Sequence, residues 1–465
     1  MAQFSRRGFM RAAFYGPVAM SAAGSEREAG QVDLSLEARP DWVAAGGRFA
    51  YLYSFNGKSP GPVIEAKPGD DVRITFVNRL LEATNLHFHG LQIPPTGNAD
   101  NVSLRVPPGE SVEYRFTIPA DHPSGTYWYH PHLHGTAARQ VSRGLVGAFI
   151  IRNAADAVPE IEMTPEATLI LQDFSIDRAG QPVEPTLMER MQGREGSLVT
   201  VSGMDNPEFL VRQGGWLRLR ILNASSSRFY RLRLEEHPLY VIASDGGFLN
   251  APDVRDEILL SPGERVEVMV RGERIPGEYR LLSLPYDRGG MGMGMMGFAQ
   301  QRTGLPLARF RYDGREEPPW DLPSRLGGVA RLPEPTVRRV FQLGQGMGMG
   351  MGMMGGGMAF TINGRTFSEQ RVDVRAALGA VEQWEFLNPT GMDHPMHIHT
   401  NPFQVVDSTG TPIPAWKDTV LVRRGSRLAV RTAFGSYSGL RMFHCHILDH
   451  EDLGMMGTID VVSAA

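Results

Sequence analysis

The chain has 465 residues, more than a single hydrophobic core usually supports, so we expect two to four domains. Its 42% hydrophobic and 21% charged residues are ordinary for a globular protein, and the 53 glycines and 33 prolines favour a turn-rich, all-β fold over a helical one. The net charge of -4 is small and gives no reason to expect nucleic acid or an anionic membrane as a partner.

The first 25 residues resemble an export signal. A twin-arginine-like motif, Ser5-Arg6-Arg7-Gly8-Phe9-Met10, precedes a short apolar stretch that ends in small residues. That stretch is too short to span a bilayer as a helix. We therefore expect a protein exported by the twin-arginine pathway to the periplasm or the extracellular space, without a membrane span. The alternative is a basic, disordered N-terminus.

A weak internal repeat follows. Each copy has a tight turn, an alternating strand and a closing asparagine, and the copies end at Phe76-Val77-Asn78, Ile221-Leu222-Asn223 and Phe386-Leu387-Asn388. Alternating apolar and polar residues bounded by Gly, Pro and Asn predict half-buried strands. Three units of roughly 120–160 residues fit three β-sandwiches. The predicted division is a signal segment at 1–25 and domains at 26–155, 156–325 and 326–465.

Two methionine–glycine runs interrupt this pattern. Residues 291–296 contain four methionines and residues 347–358 contain six. Alternating glycine disfavours both helix and strand, so we expect loops. Thioethers bind soft Cu(I), so our hypothesis is that these loops collect it, and low-complexity filler is the alternative. The residues expected to contact Cu(I) are Met347, Met349, Met351, Met353, Met354 and, two residues before His394, Met392.

Ten of the 13 histidines lie in four clusters. The clusters are His87-Phe88-His89, His130-Pro131-His132, His394-Pro395-Met396-His397-Ile398-His399, and the group His444, His446 and His450. Neutral imidazole is a common ligand for copper, zinc and iron. On a strand, residues i and i+2 share a face about 7 Å apart, a spacing that suits two neighbouring metals better than one.

Cys445 is the only cysteine in the chain, and it stands between His444 and His446. A lone cysteine forms no intramolecular disulfide, and its histidine neighbours favour a metal ligand over a buried structural thiol. Two histidines, one cysteine and a weak axial methionine form a blue-copper site. Because neighbouring side chains on a strand point to opposite faces, a copper bound by Cys445 leaves His444 and His446 facing a different site.

Over essentially its whole length after residue 25, the sequence resembles the multicopper oxidases, and in particular the bacterial, laccase-like, Met-rich members linked to copper resistance and cuprous oxidation. The resemblance rests on the four clusters just described, and the segments Asn223-Ala224-Ser225 and Asp245-Gly246-Gly247 look like the family's middle domain. It implies three cupredoxin-like Greek-key β-sandwich domains and four coppers in a monomeric chain.

The resemblance also implies a role for each clustered residue. The type 1 copper would be bound by His394, Cys445 and His450, with Met455 as axial ligand, and the type 2 copper by His87 and His397. One type 3 copper would be held by His89, His130 and His446, and the other by His132, His399 and His444. The last three coppers would lie between the first and last domains. His134 is expected not to be a ligand, and His122 and His237 are expected to be structural or surface residues. Met456 lies beside Met455, so the choice of Met455 as axial ligand depends on the family's ten-residue spacing from Cys445.

The implied activity is the one-electron oxidation of phenols, aromatic amines or Cu(I), coupled to the four-electron reduction of O2 to water. Cys445 would carry each electron from the type 1 site to His444 and His446. Glu451 and Asp100 are expected to deliver protons, and a solvated surface carboxylate is the alternative for each. Three other functions compete: a non-enzymatic copper-sequestering protein, a copper-free structural relative, and a copper nitrite reductase, which usually has two such domains.

Overall fold

The computed structural model describes residues 30–290, 304–347 and 358–463. The twin-arginine segment, the run at 291–296, and Met349, Met351, Met353 and Met354 lie outside these ranges. Within them, strands predominate and are arranged in six sheets that form three sandwiches, which confirms the predicted all-β class.

The first sandwich consists of two four-stranded sheets, ordered β2-β1-β4-β6 and β3-β8-β7-β5. Aromatic side chains from both sheets fill its core, and the rings of Phe88 and Phe116 lie 4.8 Å apart. Its elements are β1 (Gln31–Ala45), β2 (Arg48–Phe55), β3 (Ile64–Ala66), β4 (Asp71–Asn78), β5 (His87–His89), β6 (Ser111–Thr117), β7 (Gly125–His130), α1 (Ala137–Ser142) and β8 (Gly147–Ile151).

The middle sandwich packs a six-stranded sheet, β10-β9-β12-β17-β14-β15, against a five-stranded sheet, β11-β19-β18-β13-β16. Its elements are α2 (Pro159–Glu162), β9 (Glu166–Phe174), α3 (Leu187–Gln192), β10 (Leu198–Val201), β11 (Glu208–Gln213), β12 (Trp216–Asn223), β13 (Tyr230–Leu234), β14 (Leu239–Ser244), β15 (Gly247–Arg255), β16 (Ile258–Leu260), β17 (Arg265–Arg271), β18 (Glu278–Leu284) and β19 (Leu305–Glu316).

The third sandwich has two five-stranded sheets, β21-β20-β23-β27-β25 and β22-β29-β28-β24-β26. Its elements are β20 (Val337–Met347), β21 (Met358–Ile362), β22 (Val374–Ala377), β23 (Val381–Asn388), β24 (His394–Ile398), β25 (Phe403–Val406), β26 (Thr419–Val422), β27 (Ser426–Ala433), β28 (Gly439–Cys445), α4 (Leu448–Asp452) and β29 (Met456–Val462). In the described ranges, no helix has the length and apolar character needed to cross a membrane.

The three closing asparagines of the sequence repeat make equivalent contacts in each sandwich. Each asparagine ends a strand that pairs in parallel with the first strand of its sandwich. These pairs are β4 with β1, β12 with β9 and β23 with β20. The side-chain amide of Asn78 donates to the carbonyls of Glu82 and Val106 at 2.8 and 2.9 Å. Asn223 and Asn388 each donate to two carbonyls in the same way. A buried amide that satisfies two carbonyls stabilises the strand exit, because an unpaired buried carbonyl is costly.

Candidate metal centres

The strand register brings the histidine clusters side by side. Strand β5 pairs antiparallel with β7, so that His87 lies opposite His130. Strand β24 pairs antiparallel with β28, so that His397 lies opposite His444. Each short motif is thus fixed by main-chain hydrogen bonds to another histidine-bearing strand, which places the side chains with little freedom.

The ligand atoms converge in buried groups, within each of which they lie within 4.8 Å of one another. The groups are His87, His89 and His397; His89, His130 and His446; His132, His399 and His444; His394, Cys445 and His450; and His87, Asp100 and His399. The first three contain histidines from both the first and the third sandwich. Most i,i+2 pairs are divided between groups: His130 and His132 belong to different ones, as do His397 and His399 and also His444 and His446.

Several imidazole nitrogens of this cluster have no hydrogen-bond partner. These buried atoms include Nε2 of His87, His130 and His397 and Nδ1 of His89. Leaving a buried polar nitrogen unpaired costs about 1–3 kcal/mol each. Several such lone pairs aimed into one buried space fit bound metal ions, which would satisfy all of them, and imidazole donors suit copper.

Burial also favours the neutral form of several of these histidines, which is the form that binds metals. Burial lowers the pKa of His87 well below its usual range, and the neighbouring His130 and His132 lower it further. For His132 the same cause lowers the pKa to about 4, although the Glu451 carboxylate opposes the shift. His87 and His132 therefore remain uncharged at neutral pH and offer lone pairs.

Two aspartates, Asp100 and Asp418, contact ring nitrogens of the clustered histidines. Asp100 Oδ1 lies 2.8 Å from His87 Nδ1 and also accepts the Phe88 main-chain N–H at 2.9 Å. Asp418 Oδ1 lies 2.8 Å from His89 Nε2, and the Asp418 carbonyl lies 2.8 Å from His397 Nδ1. Although burial alone would raise the pKa of Asp418, the charge of Arg265 lowers it well below its usual range. Partners of this kind fix the tautomer and orientation of a metal-binding histidine.

Asp100 and Glu451 are both buried, so the alternative of a solvated surface carboxylate is wrong for each. Glu451 Oε2 lies 3.0 Å from His444 Nδ1, and its Oε1 lies 3.6 Å from His132 Nε2. Burial raises the pKa of Asp100 to about 7, and burial also raises the pKa of Glu451. Burial therefore favours the protonated form of each carboxyl next to the cluster.

A second site surrounds the lone thiol. Cys445 Sγ lies 3.5 Å from His394 Nδ1 and 3.8 Å from His450 Nδ1, and the two nitrogens lie 3.3 Å apart. Thr390 Oγ1 contacts His394 Nε2 at 3.0 Å, and the Met191 carbonyl contacts His450 Nε2 at 3.1 Å. With Nε2 of both rings engaged, both Nδ1 atoms face the thiol. Burial raises the pKa of the Cys445 thiol, so a bound cation would be needed to stabilise its thiolate.

The two adjacent methionines lie in different surroundings. Met455 is fully buried in the same apolar cluster as Cys445, and its carbonyl accepts the Cys445 main-chain N–H at 3.0 Å. Met456 begins β29 and packs instead with Val102 and Met442. The structure therefore favours Met455 as the thioether beside the thiol.

Cys445 is the junction between the two sites. Its thiol lies in the group with His394 and His450, whereas the rings of its neighbours His444 and His446 belong to two other groups. One peptide bond on each side thus separates the two kinds of site. The alternation of side chains along β28 predicts this arrangement.

Four further residues were singled out in the sequence: Met392, His134, His122 and His237. Met392 is 2% exposed, so its side chain is not open to solvent. The His134 ring packs edge-on against Phe367 at 4.8 Å, and His134 belongs to none of the groups among the described residues. His122 and His237 are buried and hydrogen-bonded, His122 to the Gln92 N–H and His237 to the Tyr312 hydroxyl.

Sequence reasoning missed Asp418, Thr390 and Met191. None of them belongs to a motif with recognisable spacing. Asp418 and Met191 contact His89 and His450 from distant parts of the chain, whereas Thr390 contacts His394 from four residues away. Met191 is the least expected, because it contributes a main-chain carbonyl that any residue type would offer. For Asp418, the only signal in the sequence is a polar pair, with Thr419, at the start of a strand.

Three family models, each described as multicopper oxidase, match residues 38–156, 160–314 and 333–465. A relative from Staphylococcus haemolyticus named multicopper oxidase mco is 30% identical over 426 residues, covering 89% of this chain and 85% of the relative. A Yersinia pestis relative named cell division protein FtsP is also 30% identical, covering 93% of this chain and 89% of its own.

Solved structures agree with these matches. A multicopper oxidase from Campylobacter jejuni, described as a metallo-oxidase, superimposes with a TM-score of 0.82 at 32% identity, covering 96% of this chain and 94% of the other. A laccase-like multicopper oxidase, CueO, from an Ochrobactrum species superimposes with a TM-score of 0.80 at 30% identity, covering 96% and 100%. The second is described as active towards lignin model compounds and lignosulfonate.

Proposed function

The chain belongs to the multicopper oxidase family, and we propose that it couples the one-electron oxidation of Cu(I), phenols or aromatic amines to the four-electron reduction of O2 to water. Family membership supports a copper-dependent oxidoreductase; the donors and the product are our proposal. The observation that carries the proposal is that Cys445 belongs to one ligand group, whereas its chain neighbours His444 and His446 belong to two other groups.

We assign four coppers to the buried groups. The type 1 copper is held by His394, Cys445, His450 and axial Met455, and the type 2 copper by His87 and His397. The two type 3 coppers are held by His89, His130 and His446 and by His132, His399 and His444. The unpartnered imidazole nitrogens and the neutral state of the histidines support this assignment.

When bound, copper supplies one-electron transfer at the Cys445 site and the storage of several electrons for O2 at the histidine cluster. The protein supplies the connection between these functions. The Cys445 carbonyl lies 3.1 Å from His444 Nδ1, so a hydrogen bond runs beside the covalent path between the two residues. The apolar core around Cys445 excludes water from the thiol and holds the ligand set rigidly.

Glu451 and Asp100 are the proposed proton carriers. Each carboxyl is buried, and Glu451 Oε2 lies within 3.0 Å of His444 Nδ1, a ring of the cluster. Burial raises the pKa of both carboxyls, and that of Asp100, at about 7, suits the release and recovery of a proton near neutral pH in general acid–base work. The half-buried Asp452, next to Glu451 in the chain, has its pKa raised by burial to about 8.

Cu(I) is the donor that the described residues favour. His450 is fully buried and its Nε2 is covered by the Met191 carbonyl, so a bulky phenol has no direct contact with that ring. A small cation can approach more closely than an aromatic ring. The description of the Campylobacter jejuni relative as a metallo-oxidase supports a metal donor, whereas that of the Ochrobactrum relative supports aromatic ones.

We propose that the protein acts as a monomer after export by the twin-arginine pathway to the periplasm or the extracellular space. The motif at residues 5–10 supports the route. A protein that reaches an oxidising compartment with one cysteine also benefits from having that thiol buried in a metal site.

Two other functions remain as alternatives. A copper-sequestering protein would use the methionine-rich runs but has no need for a cysteine that joins two sites. The relatives named cell division protein FtsP suggest a role in cell division. That role gives no reason for ten buried histidines to be gathered in metal-binding groups. Copper content and oxygen uptake separate both from an oxidase.

Steady-state kinetics test the proposal. Oxygen uptake would be followed with Cu(I) and with a simple phenol as donor, each with and without added Cu(II). We expect uptake with both donors and a larger kcat/KM for Cu(I). A copper-loaded protein that consumes no oxygen with either donor would leave the sequestering function as the better account.

A further inference from the structure

The middle sandwich contributes none of the ten clustered histidines, yet it forms one wall of their site. The turn before β17 brings Gly263 against His446: a Cβ at Gly263 would lie 2.8 Å from His446 Cδ2. Its φ of 86° also lies in the left-handed region that favours glycine. Main chain of the middle sandwich therefore packs directly on a ring of the cluster.

Arg265, the first residue of β17, joins all three sandwiches. It is 1% exposed, and its Nε donates to the Thr126 carbonyl of the first sandwich at 2.9 Å. One terminal nitrogen donates to the Asp245 carbonyl of the middle sandwich at 2.8 Å. Both terminal nitrogens donate to Asp418, which precedes β26 of the third sandwich, at 2.6 Å each. A planar guanidinium provides this two-pronged grip on a carboxylate, and an ammonium does not.

Asp418 transmits this grip to the cluster. Held by Arg265, it is an ionised carboxylate that can only accept hydrogen bonds, so the His89 Nε2 at 2.8 Å must carry the proton. His89 then presents a bare Nδ1 to the cluster, and that atom has no other partner. The Asp418 carbonyl likewise requires the proton of His397 on Nδ1, leaving Nε2 bare.

Asp245 holds the two members of this pair in place. Its Oδ1 accepts the Arg265 main-chain N–H at 2.8 Å, and its Oδ2 accepts the main-chain N–H groups of Asp418 and Thr419 at 3.3 and 3.4 Å. Lys417 Nζ lies 3.0 Å from the same Oδ2 and offsets part of the buried negative charge. The Asp245-Gly246-Gly247 segment contains no proposed copper ligand, and these contacts indicate that its Asp245 positions Arg265 and Asp418.

We propose that Arg265 and Asp245 are positioning residues of the trinuclear copper site: through Asp418 they fix which nitrogen of His89 and of His397 faces the metal. The inference rests on the proposed copper function. The middle sandwich then orients histidines of the copper cluster, in addition to linking the first and third sandwiches.

The variants Arg265→Lys and Asp245→Asn test this inference. Lysine keeps the charge but loses the paired grip on Asp418, and asparagine keeps the shape but loses charge. Arg431→Lys is the matched control, because Arg431 is also 1% exposed and its guanidinium joins β27 to the linker through the carbonyls of Leu332 and Pro333 instead of holding a partner of a clustered histidine.

Two readouts are needed. In the copper-free protein, 15N chemical shifts of the imidazoles report the His89 and His397 tautomers. In the copper-loaded protein, titration with a copper chelator reports the affinity of the trinuclear site, while the blue absorption reports type 1 copper. We expect a mixed His89 tautomer and a 10–100-fold weaker trinuclear site in the Arg265→Lys variant, the usual effect of losing such a partner, with the blue absorption retained.

Unchanged tautomers and unchanged trinuclear affinity in both variants would overturn the inference. Equal losses at both kinds of copper site, matched by Arg431→Lys, would also overturn it, because they indicate general destabilisation. If wild-type protein binds no trinuclear copper, the proposed function fails instead, and the tautomer measurement on copper-free protein still decides the positioning role.

Discussion

His450 Nε2 donates to the main-chain carbonyl of Met191 at 3.1 Å, so the middle sandwich covers the outer edge of a ligand ring that belongs to the third. Met191 lies in α3, whose first turn is closed by a capping box between Thr186 and Glu189. The next segment is anchored by Arg194, which donates to the Asp449 carboxylate at 2.7 Å. Under the proposed function, an electron that reaches His450 from this side passes through or beside this segment.

Gly193→Ala should open the cover over His450. Gly193 has a φ of 79°, and a Cβ there would lie 2.7 Å from Ile447 Cγ2, so alanine pushes the segment away. Losing about 1 kcal/mol of local stability raises the open population about fivefold. Because Cys445 is the only thiol, its reaction with a thiol reagent in copper-free protein should be about five times faster.

Gly47→Ala is the control for that variant. Gly47 has a similar φ of 76°, but nothing lies within 4 Å of the position of its Cβ. Backbone strain is thus shared and the clash is not. Equal thiol reactivity in wild type and in both variants would show that α3 does not limit access to the site.

Glu451→Gln should slow oxygen reduction by about 100-fold or more, the typical contribution of a positioned proton carrier. The amide keeps the size of the side chain but cannot release a proton. The blue absorption should persist, because Glu451 contacts His444 and His132 rather than the thiol group. Oxygen uptake at saturating Cu(I), together with the visible spectrum, measures both effects, and undiminished turnover would remove Glu451 from the mechanism.

Met455→Leu should raise the type 1 potential, because a thioether stabilises Cu(II) more than an alkyl group does. Met456→Leu is the matched control, since Met456 packs with Val102 and Met442. Redox titration of the blue band measures the shift. A shift produced by the control and not by Met455→Leu would transfer the axial role to Met456.

The second methionine-rich run can be removed without opening the sandwich. Met347 and Met358 are paired across the antiparallel strands β20 and β21, so Asn-Gly can replace residues 348–357 as a two-residue hairpin turn. We expect kcat/KM for Cu(I) to fall about tenfold, equivalent to about 1.4 kcal/mol of binding, with phenol oxidation unchanged. A second variant keeps the length and changes Met349, Met351, Met353 and Met354 to Ser. If neither variant lowers Cu(I) oxidation relative to phenol oxidation, the runs do not collect the donor.

Glu166 should link stability to pH. Its carboxylate lies 3.0 Å from Arg220 Nε in a buried network. Burial alone would raise the pKa of Glu166, but the charges of Arg220 and its neighbours lower it to about 2. Because this lies below the unfolded value of about 4.3, the ion pair stabilises the fold above that pH, and the stabilisation is lost as pH falls towards 2.

Glu166→Gln should therefore lower the free energy of unfolding by about 3 kcal/mol at neutral pH, with the deficit shrinking below pH 4. Copper-free proteins are compared by denaturant titration, so that loss of copper in acid does not enter. Exposed Glu160→Gln serves as the control and should change little. A deficit that is constant with pH would contradict the lowered pKa.

Much of the fold could be predicted from the sequence because the repeated turn, strand and asparagine are local signals. The Asn56-Gly57 turn shows why: both residues have positive φ, 54° and 76°, which these residue types tolerate. The ten histidines and Cys445 were recognisable from spacing along strands. Their grouping follows from β-strand alternation together with the family resemblance.

The parts that escaped prediction are contacts between distant segments. Asp418 binds the far side of His89, 329 positions away in the chain, and no periodicity connects them. The contact between Met191 and His450 uses a main-chain carbonyl, which every residue type has, so the sequence gives no signal for it. Arg265 looked like an ordinary charged start of a strand, and only the meeting of three sandwiches gives it a role.

The central claim is that Cys445 joins a one-electron site to a site that reduces O2 completely. The most direct test is the stoichiometry of oxygen consumption during Cu(I) oxidation by the copper-loaded protein, with hydrogen peroxide measured in the same sample. The account predicts one O2 consumed for every four Cu(I) oxidised, with no peroxide. One O2 for every two Cu(I), with matching peroxide, would contradict it.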